Sequence, residues 1–182
     1  MKLKNRLTTL VAVAAIAVPA LAFAAAKYSK ADGKGSVVNI KGFAPGVSFV
    51  AVAKDNGIKV DDDGTTITVS VNGHKLKTGM DLRDEHMRKQ LFANGHTIAL
   101  SVTHADLEAG LKSHKVKGSL KFSDKPATSV TVEGVSMKDG AVTGHFKTTR
   151  SALKIPEACM PPVNVPCVKD DLEVDATIYV KE

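Results

Sequence analysis

Residues 78–92 form the segment that gathers the most reactive side chains. The segment reads TGMDLRDEHMRKQLF and brings carboxylates, arginines and a histidine within a few positions of one another. General acid–base catalysis would need a carboxylate beside the histidine and a nucleophile within reach. Asp84 and His86 are two residues apart, a spacing that puts them on different sides of a helix. The sequence also has no serine in a nucleophile-elbow motif, so we expect no enzymatic activity and no catalytic residue.

The histidines do not have the spacing of a metal site. No pair is four residues apart, which is the spacing that places two ligands on one face of a helix. His96 and His104 would share a face only on a continuous strand, and would then be roughly 26 Å apart. We therefore expect no metal and no cofactor. The six histidines are His74, His86, His96, His104, His114 and His145.

The same segment has the pattern of an amphipathic helix. Asp81 can cap its first free amides, and Asn94 with Gly95 can end it. Asp84 and Arg88 are four residues apart and can pair along its surface. A structural helix is the favoured interpretation, a ligand-contacting helix is the alternative, and a catalytic or metal role has the least support. The side chains expected to dock on the rest of the protein are Met87, Leu91 and either Leu82 or Phe92.

The elements that must position this helix are strands. Apolar and polar residues alternate through most of the remaining chain, which is typical of strands with one buried face. Turn signals such as Lys138-Asp139-Gly140 separate them. With helical crossovers missing, we expect an all-β fold, an antiparallel barrel of about eight strands with one short helix between strands. The predicted strands are 37–43, 47–53, a short 58–60, 66–71, 96–103, 115–122, 129–135, 141–147 and 171–180.

The first residues have the features of a secretory signal peptide. Lys2, Lys4 and Arg6 precede an apolar run that Pro19 interrupts, and small residues follow. We expect a signal peptide at 1–24, cleaved after residue 24 or, alternatively, after residue 26. A single domain at 27–182 should follow, and the protein should be exported to the periplasm. The run is too short to span a bilayer, and no later segment is long enough, so no transmembrane segment is expected in the mature chain.

Charge and cysteine content narrow the function further. The 25 basic and 19 acidic residues give a net charge of +6, which falls to +3 once the three basic residues of the signal peptide are removed. That charge is mild and is spread along strands, so we expect no nucleic-acid partner. Cys159 and Cys167 are the only cysteines, and in an exported chain they predict one disulfide worth roughly 2–3 kcal/mol. A redox dithiol is less favoured, because its cysteines are usually two residues apart.

The segment LKTGMDLRDEHMR resembles the most recognisable motif of the YceI-like family of exported lipid-binding proteins. The matching positions lie on a strand end and the helix that follows it. Weaker similarities occur in DKPATSVTVE, TTRSALKI and VKDDLEVDATIYV, in the same order as in the family. Met87 replaces a usual leucine, and the segment after the helix is shorter. The motif residues are Thr78, Gly79, Arg83, Asp84, His86 and Arg88.

The resemblance implies a lipocalin-like barrel that holds an apolar, polyisoprenoid-type lipid as a binding or carrier protein. The alternative is a small barrel filled by its own side chains, which would act through its surface on a protein partner that the sequence does not name. The scarcity of aromatic residues favours that alternative, since apolar-ligand pockets are usually richer in them. The residues expected to line a lipid site are Val38, Ile40, Phe49, Ile67, Val69, Ile98, Leu100, Leu120, Phe122, Val132, Phe146, Val174 and Ile178.

Overall fold

A computed structural model describes residues 27–93, 95–155 and 168–181. Ten antiparallel strands make up one sheet in this part of the chain. Each of the predicted strands is present, most of them extended by a residue or more, and the two-residue β1 was not predicted. The strands are β1 (Ser29–Lys30), β2 (Val37–Ala44), β3 (Val47–Lys54), β4 (Ile58–Asp62), β5 (Thr66–Asn72), β6 (Thr97–Thr103), β7 (Lys115–Phe122), β8 (Thr128–Lys138), β9 (Ala141–Thr149) and β10 (Asp171–Lys181).

The sheet curls into a nearly closed barrel. Its strands follow the order β3-β2-β10-β9-β8-β7-β6-β5-β4, and β1 pairs with β10. Val52 of β3 exchanges backbone hydrogen bonds of 2.8 and 3.0 Å with Lys77, which lies just after β5. Tyr28, just before β1, donates its amide proton to the carboxylate of Asp62 at the end of β4. The first contact links β3 to the segment after β5, and the second links the segment before β1 to β4. The curled sheet confirms the predicted all-β barrel.

The alternation of apolar residues sets which face of each strand points inward. Val38, Ile67, Leu120 and Ile178 are all buried, as the alternation predicts. In β8 the pairing shifts between Glu133 and Ser136, where the chain has a bulge. A bulge adds one residue to a strand and so changes which side chains face the core.

The N-cap of the predicted helix lies one residue earlier in the chain than the sequence indicates. Helix α1 (Asp81–His86) follows Met80 as its N-cap and continues as a wider π-helical turn, Met87–Leu91. The prediction that Asp81 caps the helix is therefore wrong. Leu82 is 59% exposed, so the docked side chain among the two candidates is Phe92, which is 4% exposed.

The ion pairing along α1 also differs from the prediction. Lys89 pairs with Glu85 at 2.6 Å, whereas Asp84 pairs with Lys77 at 3.7 Å. Asp84 faces the barrel, and Arg88 acts on it only as a nearby positive charge. The carboxylate thus attaches the helix to the segment just before it and does not pair along the helix surface.

A second helix, α2 (His104–Ser113), was not predicted. Thr103 caps it by accepting a hydrogen bond from the Asp106 amide at 3.0 Å, and Leu107 and Leu111 pack against the core. Gly110 inside the helix disfavours a helical interpretation of the sequence. A Cβ at Gly110 would lie 1.9 Å from Val116 Cγ2, so the glycine allows α2 to approach β7 closely.

The two helices lie at opposite ends of the barrel. Strand β6 begins shortly after α1 and ends where α2 begins. The antiparallel register places the turn between β2 and β3, the end of β9 and the start of β10 at the α1 end. The interior between the helices is the candidate site.

Candidate functional site

The barrel interior contains a cavity of about 450 Å³. That volume lies within the range of about 300–1,000 Å³ that is typical of small-molecule sites. Its wall consists mainly of apolar side chains, and every strand from β2 to β10 contributes to it. Every residue that was predicted from the sequence to line a lipid site lines this cavity, except Phe122. Whether these residues bind a lipid stays a prediction.

Phe122 points inward, but it packs against other rings at the α1 end and does not line the cavity. It is 2% exposed, and its ring meets the edge of Phe92 with centroids 5.7 Å apart. His96 contacts the same ring at 5.6 Å. Alternation correctly predicts that Phe122 is buried, but it does not reveal that a neighbouring ring occupies the space between Phe122 and the cavity.

Several cavity residues lie outside the strands and were not predicted from the alternation of apolar residues. Met87 and Leu91 were expected to dock on the barrel, and both line the cavity. Others come from α2 and from the segment after β9. Arg83 and the residues three, four and seven positions after it lie on one face of a helix. This spacing was the sequence signal that could have identified them as lining residues. The lining residues outside the strands include Arg83, His86, Met87, Gln90, Leu91, Leu107, Arg150, Leu153 and Ile155.

Asp84 fixes α1 to the segment that immediately precedes it. Its Oδ1 accepts hydrogen bonds of 2.7 Å from both the amide and the hydroxyl of Thr78. Burial alone would raise the pKa of Asp84, but these hydrogen bonds and the charges of Lys77 and Arg88 outweigh it and hold the pKa below its ordinary value. Gly79 has φ of +75°, a conformation that glycine adopts without strain.

Arg83 lies on the cavity side of α1. Its guanidinium carbon is 5.0 Å from the centre of the Phe49 ring, a cation–π distance. Both residues line the cavity. The contact couples α1 to β3, which is the strand that completes the barrel on that side.

His86 also lines the cavity, and its Nδ1 has no hydrogen-bond partner. It is the one buried side-chain nitrogen or oxygen without a partner in the part of the chain that the structure describes. The Nδ1 of His86 therefore takes no part in the hydrogen bonds that join Thr78 to Asp84. Arg88, the last residue of the motif, is half-buried.

At the α2 end, Tyr28 lines the cavity and belongs to a polar cluster. The ring of Tyr28 stacks on His104 with centroids 5.7 Å apart, and His104 Nε2 lies 2.9 Å from the Asp62 carboxylate. Burial would raise the pKa of Asp62, but the hydrogen bonds from His104 and from the amides of Tyr28 and Gly64 lower it overall. These contacts hold Tyr28 in place at the α2 end.

At the α1 end, Arg150 forms hydrogen bonds to the two chain segments that flank residues 156–167. Its guanidinium donates to the carbonyl oxygens of Lys169 at 3.3 Å and Ile155 at 3.4 Å. The amide of Ser151 donates to Asp170 Oδ1 at 2.8 Å. The predicted disulfide between Cys159 and Cys167 lies outside the described residues and stays a prediction.

Two further observations bear on the class of protein. No helix among residues 27–93, 95–155 and 168–181 has both the length and the apolar character that crossing a membrane requires. Over the same residues, no three histidine, cysteine, aspartate or glutamate side chains come together as metal ligands would.

Two solved structures share the fold. One is a polyisoprenoid binding domain from Saccharophagus degradans implicated in plant cell wall breakdown, with a TM-score of 0.57 and 12% identity over 85% of this chain and 98% of that one. The other is BcnA of Burkholderia cenocepacia, with a TM-score of 0.55 and 14% identity over 81% of this chain and 96% of that one.

No protein-family model matches the chain, and no curated protein matches it in sequence. The two structural likenesses agree with the lipocalin-like fold that the sequence motif implied.

Proposed function

We propose that the protein is an exported, YceI-like binding protein that carries an elongated apolar lipid of polyisoprenoid type inside its barrel, with the periplasm as its compartment. The observation that carries this proposal is the aliphatic cavity of about 450 Å³. Apolar burial contributes about 25 cal/mol per Å² before the costs of ordering the ligand, so a long apolar chain gains most from such a wall.

The polyisoprenoid binding domain with the same fold supports this choice of ligand class. The cavity counts against the alternative of a barrel filled by its own side chains. Val69, Ile98, Leu100 and Val174 are only partly buried although they face the interior. In a filled barrel these side chains would contact one another across the axis and leave no such volume.

The proposal is tested by native mass spectrometry of protein purified without detergent. A co-purified mass of several hundred daltons, or uptake of added geranylgeraniol, is the expected result. Val69→Phe should reduce uptake because it places a ring in the cavity. Ser70→Phe is the matched control. The side chain of Ser70 is on the opposite face of β5, away from the cavity, so this substitution should not change uptake.

A bare chain that takes up no polyprenol would contradict the carrier proposal. Equal loss of uptake in Val69→Phe and Ser70→Phe would mean that binding does not occur inside the barrel.

A further inference from the structure

The cavity wall is mainly apolar, and a group of polar side chains lies at the α1 end. There the side chains of Arg83, His86 and Gln90 reach it from one face of the helix and its π-helical extension. π-Helical turns inside helices occur frequently at functional sites. The change from an aliphatic wall to three hydrogen-bonding side chains suits a ligand with two chemically different ends.

His86 provides the specific observation. Its Nδ1 is buried beside the cavity, yet no described residue forms a hydrogen bond with it. A buried nitrogen without a partner costs free energy, and a ligand atom that pairs with it recovers that cost. The neighbouring polar groups already have contacts of their own. Asp84 is paired with Thr78, and Arg83 lies over the ring of Phe49. Arg150, which also lines this end, donates to the carbonyl oxygens of Lys169 and Ile155.

We infer that His86, with Arg83 and Gln90 beside it, forms a recognition site for an oxygen-bearing head group of the lipid. The ligand is then an amphiphile whose apolar tail extends toward α2 and whose head lies under α1. A neutral imidazole nitrogen either donates or accepts, an amide does both, and a guanidinium only donates. A hydroxyl group both donates and accepts hydrogen bonds, so it can pair with all three side chains. This inference rests on the proposed function and specifies the ligand of the same cavity.

The test compares two probes that share one tail. Geranylgeraniol has a terminal hydroxyl, and its reference is the hydrocarbon with hydrogen in place of that hydroxyl. Both are delivered from cyclodextrin, and their relative affinities are measured by competition in native mass spectrometry. Wild-type protein should prefer the alcohol about tenfold, which is the worth of one well-placed hydrogen bond.

Four substitutions separate hydrogen bonding from packing. His86→Leu should reduce the preference for the alcohol to within about twofold and leave hydrocarbon binding unchanged. His86→Asn places an amide near the position of Nδ1 and should restore most of the preference, whereas His86→Gln places it near Nε2 and should restore less. Gln90→Leu should weaken alcohol binding in the same direction, and it keeps the test available if a His86 variant does not fold.

The outcomes separate this inference from the proposed function. If wild-type protein binds both probes equally, or His86→Leu lowers both affinities by the same factor, the head-group site is wrong and the lipid cavity stands. If wild-type protein binds neither probe, the proposed function fails, and the head-group site fails with it.

Discussion

Asp84 is a buried carboxylate whose role depends on Thr78. Replacing it by asparagine keeps the shape but removes the charge that the two Thr78 hydrogen bonds and Lys77 stabilise. We expect Asp84→Asn to lower the free energy of unfolding by about 1–3 kcal/mol, measured by urea denaturation. Asp81→Asn is the control on the exposed side of the same helix turn and should cost less than about 1 kcal/mol. Equal losses in the two variants would contradict the role assigned to Asp84.

The lowered pKa of Asp84 also predicts a pH dependence. Its folded pKa lies below the ordinary value of 3.8, so the unfolded chain takes up a proton at higher pH than the folded protein does. The stability that the carboxylate contributes is therefore complete above the unfolded pKa and is lost as pH falls through the folded pKa. The difference in unfolding free energy between wild type and Asp84→Asn should narrow as pH falls from about 5 toward 3. A difference that stays constant over this range would show that the charge of Asp84 does not contribute.

Helix α2 depends on a close approach to β7, and this too can be tested. Gly110→Ala adds a Cβ that would meet Val116 Cγ2 at 1.9 Å. Alanine favours helices by about 1 kcal/mol over glycine, but overpacking costs about 1–3 kcal/mol, so we expect a net decrease in melting temperature. In contrast, the exposed Ala109→Gly should be destabilising through helix propensity alone. A rise in melting temperature for Gly110→Ala would mean that α2 can move away from β7 without cost.

The barrel as a whole should be stabilised by its ligand. A lipid that binds only the folded protein raises the free energy of unfolding by about 2.7 kcal/mol at one hundred times its dissociation constant. We therefore expect added geranylgeraniol to raise the melting temperature of wild-type protein, measured by calorimetry, and to have little effect on Val69→Phe. An identical rise in both proteins would indicate binding to the surface instead of the interior.

Much of this architecture is encoded locally and is predictable from the sequence. The alternation in 66–71 and 171–180 identifies strands and their inward faces, because a period of two residues can bury only one side of a strand. The acidic start and basic end of the segment around α1 likewise predict a helix there. The motif residues Thr78 and Asp84 imply the fold through family resemblance, and the structure agrees.

Other features were decided only when distant parts of the chain came together. Helix α2 has few apolar side chains and a central glycine, so its stability comes from packing on β7 and not from propensity. The partner of Asp84 is Thr78 and not Arg88, because the tertiary position of α1 turns that carboxylate toward the barrel. Whether the interior is filled or open depends on the distances between side chains on strands far apart in sequence. No local pattern contains those distances, so the cavity, and the unpartnered Nδ1 of His86 beside it, appear only in the folded barrel.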